Sequence, residues 1–225
     1  MEALEFEELG LIAYGDALEI QQKYFDAALH LKQSGCQVHN RWLFCQHLPV
    51  ITIGKHGKRS NLLFSEEELF KKGVDLVSTQ RGGDVTFHGP GQLIAYPILD
   101  LEHYRMGLRE YIHFLEEIVI RTIAEYGIIG ERIEGASGVW LGKGTSAERK
   151  ICAIGVKSSR YLTMHGLALN VNTNLSYFSL IHPCGFINKG VTSLEKETGE
   201  ITDLKIVSDQ MRKHVLQLLE CDIFS

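Results

Sequence analysis

The apolar residues of this chain keep two rhythms, one of period two and one close to 3.6. Residues 5–12 are compatible with an opening strand. Ala17, Leu18, Phe25, Ala28, Leu29 and Leu31 then recur at helical spacing to about Gln33, with Asp16 as the expected N-cap. Trp42-Leu43-Phe44-Cys45 and Val50-Ile51-Thr52-Ile53 predict strands on either side of a short turn at Pro49. Ser65 and Glu68 have the spacing of a capping box, so a short acidic helix is expected from there to Lys72. Residues 74–78 and 93–98 read as strands flanking a glycine-rich stretch. Leu108, Tyr111, Ile112, Leu115, Ile118, Val119, Thr122, Ile123 and Tyr126 mark the longest helix, with Gly127 as the expected C-cap. A stripe of that kind is core packing and carries no chemistry.

Strands dominate the next stretch, at 132–134, 138–141, 150–157 and 161–171. Their short connections force antiparallel pairing, because parallel neighbours need long crossovers. Gly142-Lys143-Gly144-Thr145 lacks the Gly-x-x-x-x-Gly-Lys-Ser/Thr spacing of a phosphate loop and reads as a hairpin tip. Leu204, Val207, Met211, Val215 and Leu218 share one face of a last helix over about 203–219. The expected class is α+β: a mixed, largely antiparallel sheet flanked by helices. One domain over residues 1–225 accommodates it, with a small C-terminal subdomain from about residue 185 as an option.

Composition narrows the function. Among 225 residues, 44% are apolar and 23% charged, an ordinary globular balance. A net charge of −5 argues against general nucleic-acid affinity, which needs a basic face. No apolar run approaches the ~20 residues of a membrane span. The acidic start, Met1-Glu2-Ala3-Leu4-Glu5, is unlike a signal peptide, and a cytoplasmic protein is expected. Cys36, Cys45, Cys152, Cys184 and Cys221 are odd in number and widely spaced, which suggests neither a disulfide frame nor a zinc site. Each is by default a small buried hydrophobe.

The chemistry concentrates in Arg81-Gly82-Gly83-Asp84-Val85-Thr86-Phe87-His88-Gly89-Pro90-Gly91-Gln92. Glycine there permits positive φ and close ligand approach, and twelve such residues exceed the needs of a turn. The stretch is read as a binding loop. Gly54-Lys55-His56-Gly57-Lys58-Arg59 is by contrast a solvated basic turn, although Lys55, Lys58 and Arg59 are the densest cations for meeting an acidic partner. Cys184 sits in Pro183-Cys184-Gly185, a rigid and uncluttered setting for a thiol. A nucleophilic thiol needs a group to take or offset its proton, and Lys150, His165 and His182 are the candidates. His165 taken alone is read as structural. Lys150 enters an apolar strand and is a candidate for desolvation.

Taken together, Arg81-Gly82-Gly83, Thr86, His88-Gly89-Pro90-Gly91-Gln92, Gly138-Val139-Trp140, Lys150-Ile151 with Ala153-Ile154-Gly155, Thr163 with His165-Gly166, Ala168-Leu169-Asn170 and Pro183-Cys184-Gly185 occur in one order. That series resembles the octanoyltransferase family of lipoate synthesis, over about residues 40–195. The resemblance implies a biotin/lipoate protein ligase-like fold. It implies an enzyme that moves an octanoyl group from acyl carrier protein to one lysine of a lipoyl domain, without a cofactor and as a monomer. The acceptors would be lipoyl domains of 2-oxo acid dehydrogenase E2 subunits and the glycine-cleavage H protein. On matching positions Cys184 is the acyl-accepting nucleophile and Lys150 activates it. Arg81 to His88, Ala153, Ile154 and Gly155, and Gly166, Leu167 and Ala168 line the acyl site, with His165 and Asn170 in support. The hairpin 142–148 and Ser137 depart from the family pattern at positions it varies freely. Ile154, Val156, Leu167 and Leu169 are candidates for an apolar wall. The rivals are an ATP-dependent lipoate or biotin ligase and a non-catalytic binder of lipoyl domains; Cys184 and Lys150 weigh against both.

Overall fold

The computed structural model describes residues 4–182 and 190–220. Its main sheet has the strand order β1 (Glu5–Ile12), β2 (Arg41–His47), β6 (Gln92–Ile98), β10 (Leu162–Asn170), β9 (Arg149–Ser159), β8 (Ala136–Leu141), β7 (Glu131–Ile133). A short β11 (Gly190–Val191) pairs in parallel with Arg149 and Lys150, where β10 has already run out past Cys152. Three strands form a smaller sheet in the order β4 (Asp75–Ser78), β3 (Val50–Ile53), β5 (Val85–His88). The pairings β1/β2, β3/β4 and β9/β11 are parallel and the remainder antiparallel, which is the mixed α+β arrangement expected.

The central strands β6 and β10 are buried along their whole length. Alternation sorts their side chains between two faces. Trp42, Phe44, Leu93, Ala95, Leu167 and Leu169 join the core under α3 (Leu108–Ala124) and α5 (Leu204–Glu220). Leu43, Cys45, Ile94, Tyr96 and Ala168 face α1 (Tyr14–Gln33) through Ala17. The chain also closes on itself: Glu8 of β1 meets Arg212 (3.7 Å) and Ser208 (3.3 Å) of α5, and Arg212 lies 4.8 Å from the Phe6 ring centroid.

Several local expectations need correction. The stretch 81–92 is not one loop, because Val85 and Phe87 drop into the core of the small sheet and Val85–His88 pairs with β3. The strands either side of Pro49 are present but lie in different sheets. The two expected helices serve as parallel crossovers: α1 links β1 to β2, and α2 (Glu66–Lys71) links β3 to β4. Asp16 does not cap α1; Ala13 holds that position without a side-chain bond, and buried Tyr14 anchors the first turn through Thr79 Oγ1 at 3.3 Å. The helix expected to be the longest has 17 residues against 20 in α1; it ends at Ala124 with Glu125 as C-cap, so Gly127, at φ +74°, serves the following turn. The Ser65–Glu68 capping box forms as expected.

Candidate active site

A pocket of about 110 Å³ lies on the α1 face of the main sheet, between β6, β8, β9 and β10 on one side and the 81–88 segment on the other. Its floor follows β9 from Lys150 past Ala153 and Ile154 to Gly155, about 16 Å at the usual rise per strand residue. Gly166, Leu167, Ala168 and Asn170 of β10 continue it. Arg81, Gly83, Asp84, Val85, Thr86 and His88 cover it. Not every residue assigned to the lining turns toward it: Ile154, Leu167 and Leu169, expected as an apolar wall with Val156, bury their side chains in the core under α3 and α5. Phe87 is buried in the small sheet's core, stacked on Tyr177 with centroids 4.6 Å apart, and Gly82 lies outside the lining.

The cover is shaped by Arg81. Its buried guanidinium donates to Thr52 O (2.7 Å), Thr52 Oγ1 (2.8 and 3.1 Å), Asp84 O (2.8 Å) and Gly82 O (3.0 Å), wrapping the loop around its own cation. Gly82 N–H donates to Val156 O at 2.9 Å, which draws the loop down onto β9. Only glycine fits at 155 beneath it: an added Cβ would stand 2.8 Å from Gly82 O and 3.2 Å from Arg81 Cδ. The basic turn follows the same loop, since Lys55 and His56 N–H donate to Arg81 O and Gly83 O.

Polar residues close the pocket end remote from Lys150. His165 has φ +61° and only 2% exposure; its backbone N–H donates to Gln21 Oε1 at 3.1 Å, while its Nδ1 is buried without a hydrogen-bond partner. Burial, with the charges of Arg81 and Lys157, pushes its pKa down to about 3. It pairs with Val156, six residues along β9 from Lys150, or about 20 Å. Of the three groups proposed to serve the thiol, His165 is therefore far from Lys150. His182 is exposed, and its backbone N–H donates to Asn61 O.

At the other end, Lys150 Nζ donates to Ser137 O at 3.3 Å and lies 4.5 Å from the Trp140 ring centroid. Ser137, Trp140, Gly190 and Val191 line the pocket beside it. Two cysteines are sealed: burial pushes the Cys152 thiol up to about 12 and that of Cys45 higher still. Cys36 is exposed after α1. Cys184 and Cys221 lie outside the described residues. Tyr14, Tyr96 and Phe178 also line the pocket and escaped the sequence reading. Tyr14 and Tyr96 sit within apolar patterns that mark them as core; a hydroxyl in the middle of a fully buried strand was the available signal at Tyr96. Among the described residues, no group of His, Cys, Asp and Glu is arranged to hold a metal ion. No helix among them is long and apolar enough to cross a membrane.

Residues 14–216 match the family model for the lipoyl protein ligase A/B catalytic domain. An octanoyltransferase of Parabacteroides distasonis is 53% identical over 97% of this chain and 99% of its own length. One from Bacteroides fragilis is 54% identical over 93% of this chain and 95% of its own. The chain belongs to the octanoyltransferase family. It is accordingly an acyltransferase. Among solved structures, a lipoate-protein ligase A bound with ATP superposes with a TM-score of 0.69 at 15% identity, covering 96% of this chain and 85% of that one. A bipartite archaeal lipoate protein ligase from Thermoplasma acidophilum gives 0.63 at 16% identity, covering 96% and 82%. At such identities the likeness establishes the shared lipoate ligase fold alone.

Proposed function

We propose that this octanoyltransferase carries the acyl group as a thioester on Cys184, with acyl carrier protein as donor and a lysine of lipoyl domains as acceptor. The observation that carries the reading is the lysine amine of Lys150 at one end of a pocket that runs along β9 and β10 past Ala153, Gly155, Gly166 and Ala168. Such a pocket suits an alkyl chain with its reacting carbonyl near the amine. The sealed state of Cys45 and Cys152 supports Cys184 as the nucleophile, since a thiol held protonated by burial does not attack. In the first half-reaction the Cys184 sulfur bonds to the octanoyl carbon, the bond to the carrier thiol breaks, and the Cys184 proton passes through Lys150 to the departing thiolate. In the second, the acceptor amine attacks, the thioester breaks, and the amine proton returns through Lys150 to Cys184. Lipoyl domains of 2-oxo acid dehydrogenase E2 subunits and glycine-cleavage H protein are the acceptors.

Mass spectrometry after mixing with octanoyl-acyl carrier protein, in the absence of ATP, tests this. The expected result is one octanoyl adduct on the peptide carrying Cys184, discharged by a lipoyl domain. A requirement for ATP would move the protein to the ligase class. An adduct on Cys36, or full transfer by Cys184→Ser, would overturn the assignment of the nucleophile.

A further inference from the structure

A continuous line of buried side chains joins the covering segment to the backbone of Lys150. His88 Nδ1 lies 2.8 Å from Gln92 Oε1, Gln92 Nε2 donates to Asn170 Oδ1 at 2.9 Å, and Asn170 Nδ2 donates to Thr192 O at 2.9 Å. Thr192 N–H in turn donates to Lys150 O at 3.0 Å. Gln92, Asn170 and His88 are 2%, 4% and 6% exposed, so their polar groups are satisfied chiefly by one another.

The direction of every link is determined from one end. Arg81 can only donate, and Thr52 Oγ1 accepts from both its Nε and its Nη2. The Thr52 hydrogen is thereby directed to His88 Nε2, 3.3 Å away. His88 must then carry its own hydrogen on Nδ1 and donate to Gln92, whose amide nitrogen faces Asn170. The Asn170 amide is oriented in the same sense, with its nitrogen toward Thr192. Burial and the neighbouring charge of Arg81 keep His88 neutral, so the sequence of donors is not interrupted by its protonation. Thr192 itself stands beside β11, which occupies the place next to Arg149 and Lys150 that β10 has vacated. Its side chain shares Glu197 with Arg149 (2.5 and 2.6 Å), so the residue is held from both directions.

We propose that Asn170 is a positioning residue for Lys150, transmitting the geometry of the acyl-pocket cover through Thr192 to the strand that presents the amine. The proposal rests on the reading of Lys150 as proton carrier. Removing the link leaves Thr192 O without its donor and lets the 190–192 segment shift against β9. Asn170→Ala should then lower kcat about 10- to 100-fold, the factor matching one buried hydrogen bond left unmade.

A role that is merely structural is separated by Asn170→Asp. Its protonated acid keeps both links, accepting from Gln92 and donating to Thr192 O; the carboxylate instead faces a carbonyl oxygen. The ratio of variant to native kcat should fall about tenfold or more between about pH 5.5 and about pH 8, because burial beside a carbonyl raises a carboxyl pKa into that range. Gln92→Glu loses its donor to Asn170 in the same way and should show the same trend. A ratio flat across pH in both acids, or Asn170→Ala within twofold of native kcat, would overturn the proposal. So would failure of all three variants to fold, which would make the line a folding element. The two readings fail separately: a native rate in Lys150→Ala removes the proton carrier, whereas inactive Lys150→Ala beside native-like Asn170 variants removes only the positioning role.

Discussion

Lys150 has two neighbours that an arginine could keep, the Ser137 carbonyl and the face of Trp140, while the proposed proton transfer is one role that an arginine could not perform. Both side chains carry a cation and both stack on indole, but arginine does not release its proton at working pH. Lys150→Arg should therefore lose about 10²–10⁴-fold in turnover and fall close to Lys150→Ala, the usual scale of general acid–base assistance. Single-turnover measurement of acyl-enzyme formation and of transfer checks it, once circular dichroism shows each variant folded. A near-native rate for Lys150→Arg would leave Lys150 only an electrostatic role. At this scale the sequence was informative where the chemistry is local: a lysine opening an apolar strand is visible in Lys150-Ile151-Cys152-Ala153. It was uninformative about distance. That His165 and Lys150 stand at opposite ends of the pocket is set by the β9/β10 register, which local pattern does not reveal.

Elements bring the same residues into place through close backbone approach. Gly138 on β8 has φ +119°, a conformation open essentially to glycine alone, and an added Cβ would run into the carbonyl oxygen of Cys152 on β9. Its neighbour Ser137 supplies the carbonyl that receives the Lys150 amine. Gly138→Ala should cost about 1–3 kcal/mol, read as a fall of several degrees in Tm, and should lower turnover at temperatures where the variant remains folded. Thermal unfolding followed by circular dichroism, paired with an assay well below the transition, tests both halves; unchanged Tm and turnover would mean that β8 relaxes freely. The helices α3 and α5 and the strands β9 and β10 were legible because their periodicity is carried by many residues. β5 was hidden because four residues, two of them polar, sit inside a glycine-rich stretch, and its partner β3 is more than thirty positions away. The parting of β2 and β3 into different sheets was missed for a related reason: the short turn at Pro49 suggests a hairpin, while the sheet to which a strand belongs is decided by distant contacts.

At the scale of the whole molecule, the burial of His47, His88 and His165 makes stability depend on pH. Burial lowers His47 to about 4 and contributes most to lowering His165 to about 3, and it drives His88 well below its usual value. The unfolded chain binds these protons as pH falls through about 6.5, while the folded chain excludes them until far lower. Folding stability should therefore be full above about pH 6.5 and decline below it, by up to ~1.4 kcal/mol per pH unit for each histidine. Urea unfolding at pH values from about 7 to about 5 isolates this effect, because unperturbed carboxylates titrate lower. His47→Gln should flatten the slope by about one proton, and a slope already flat in the native chain would contradict the burial of these rings. The clasp between β1 and α5 bears on a different question, that of assembly during synthesis. Glu8 and Ser208 are 200 residues apart. At a ribosomal pace of about 5–20 residues per second, β1 waits on the order of 10–40 s before α5 exists to hold its outer edge. Through that interval the acidic side chains Glu5, Glu7 and Glu8 remain on an unpaired strand margin, where like charge opposes pairing with a second nascent chain.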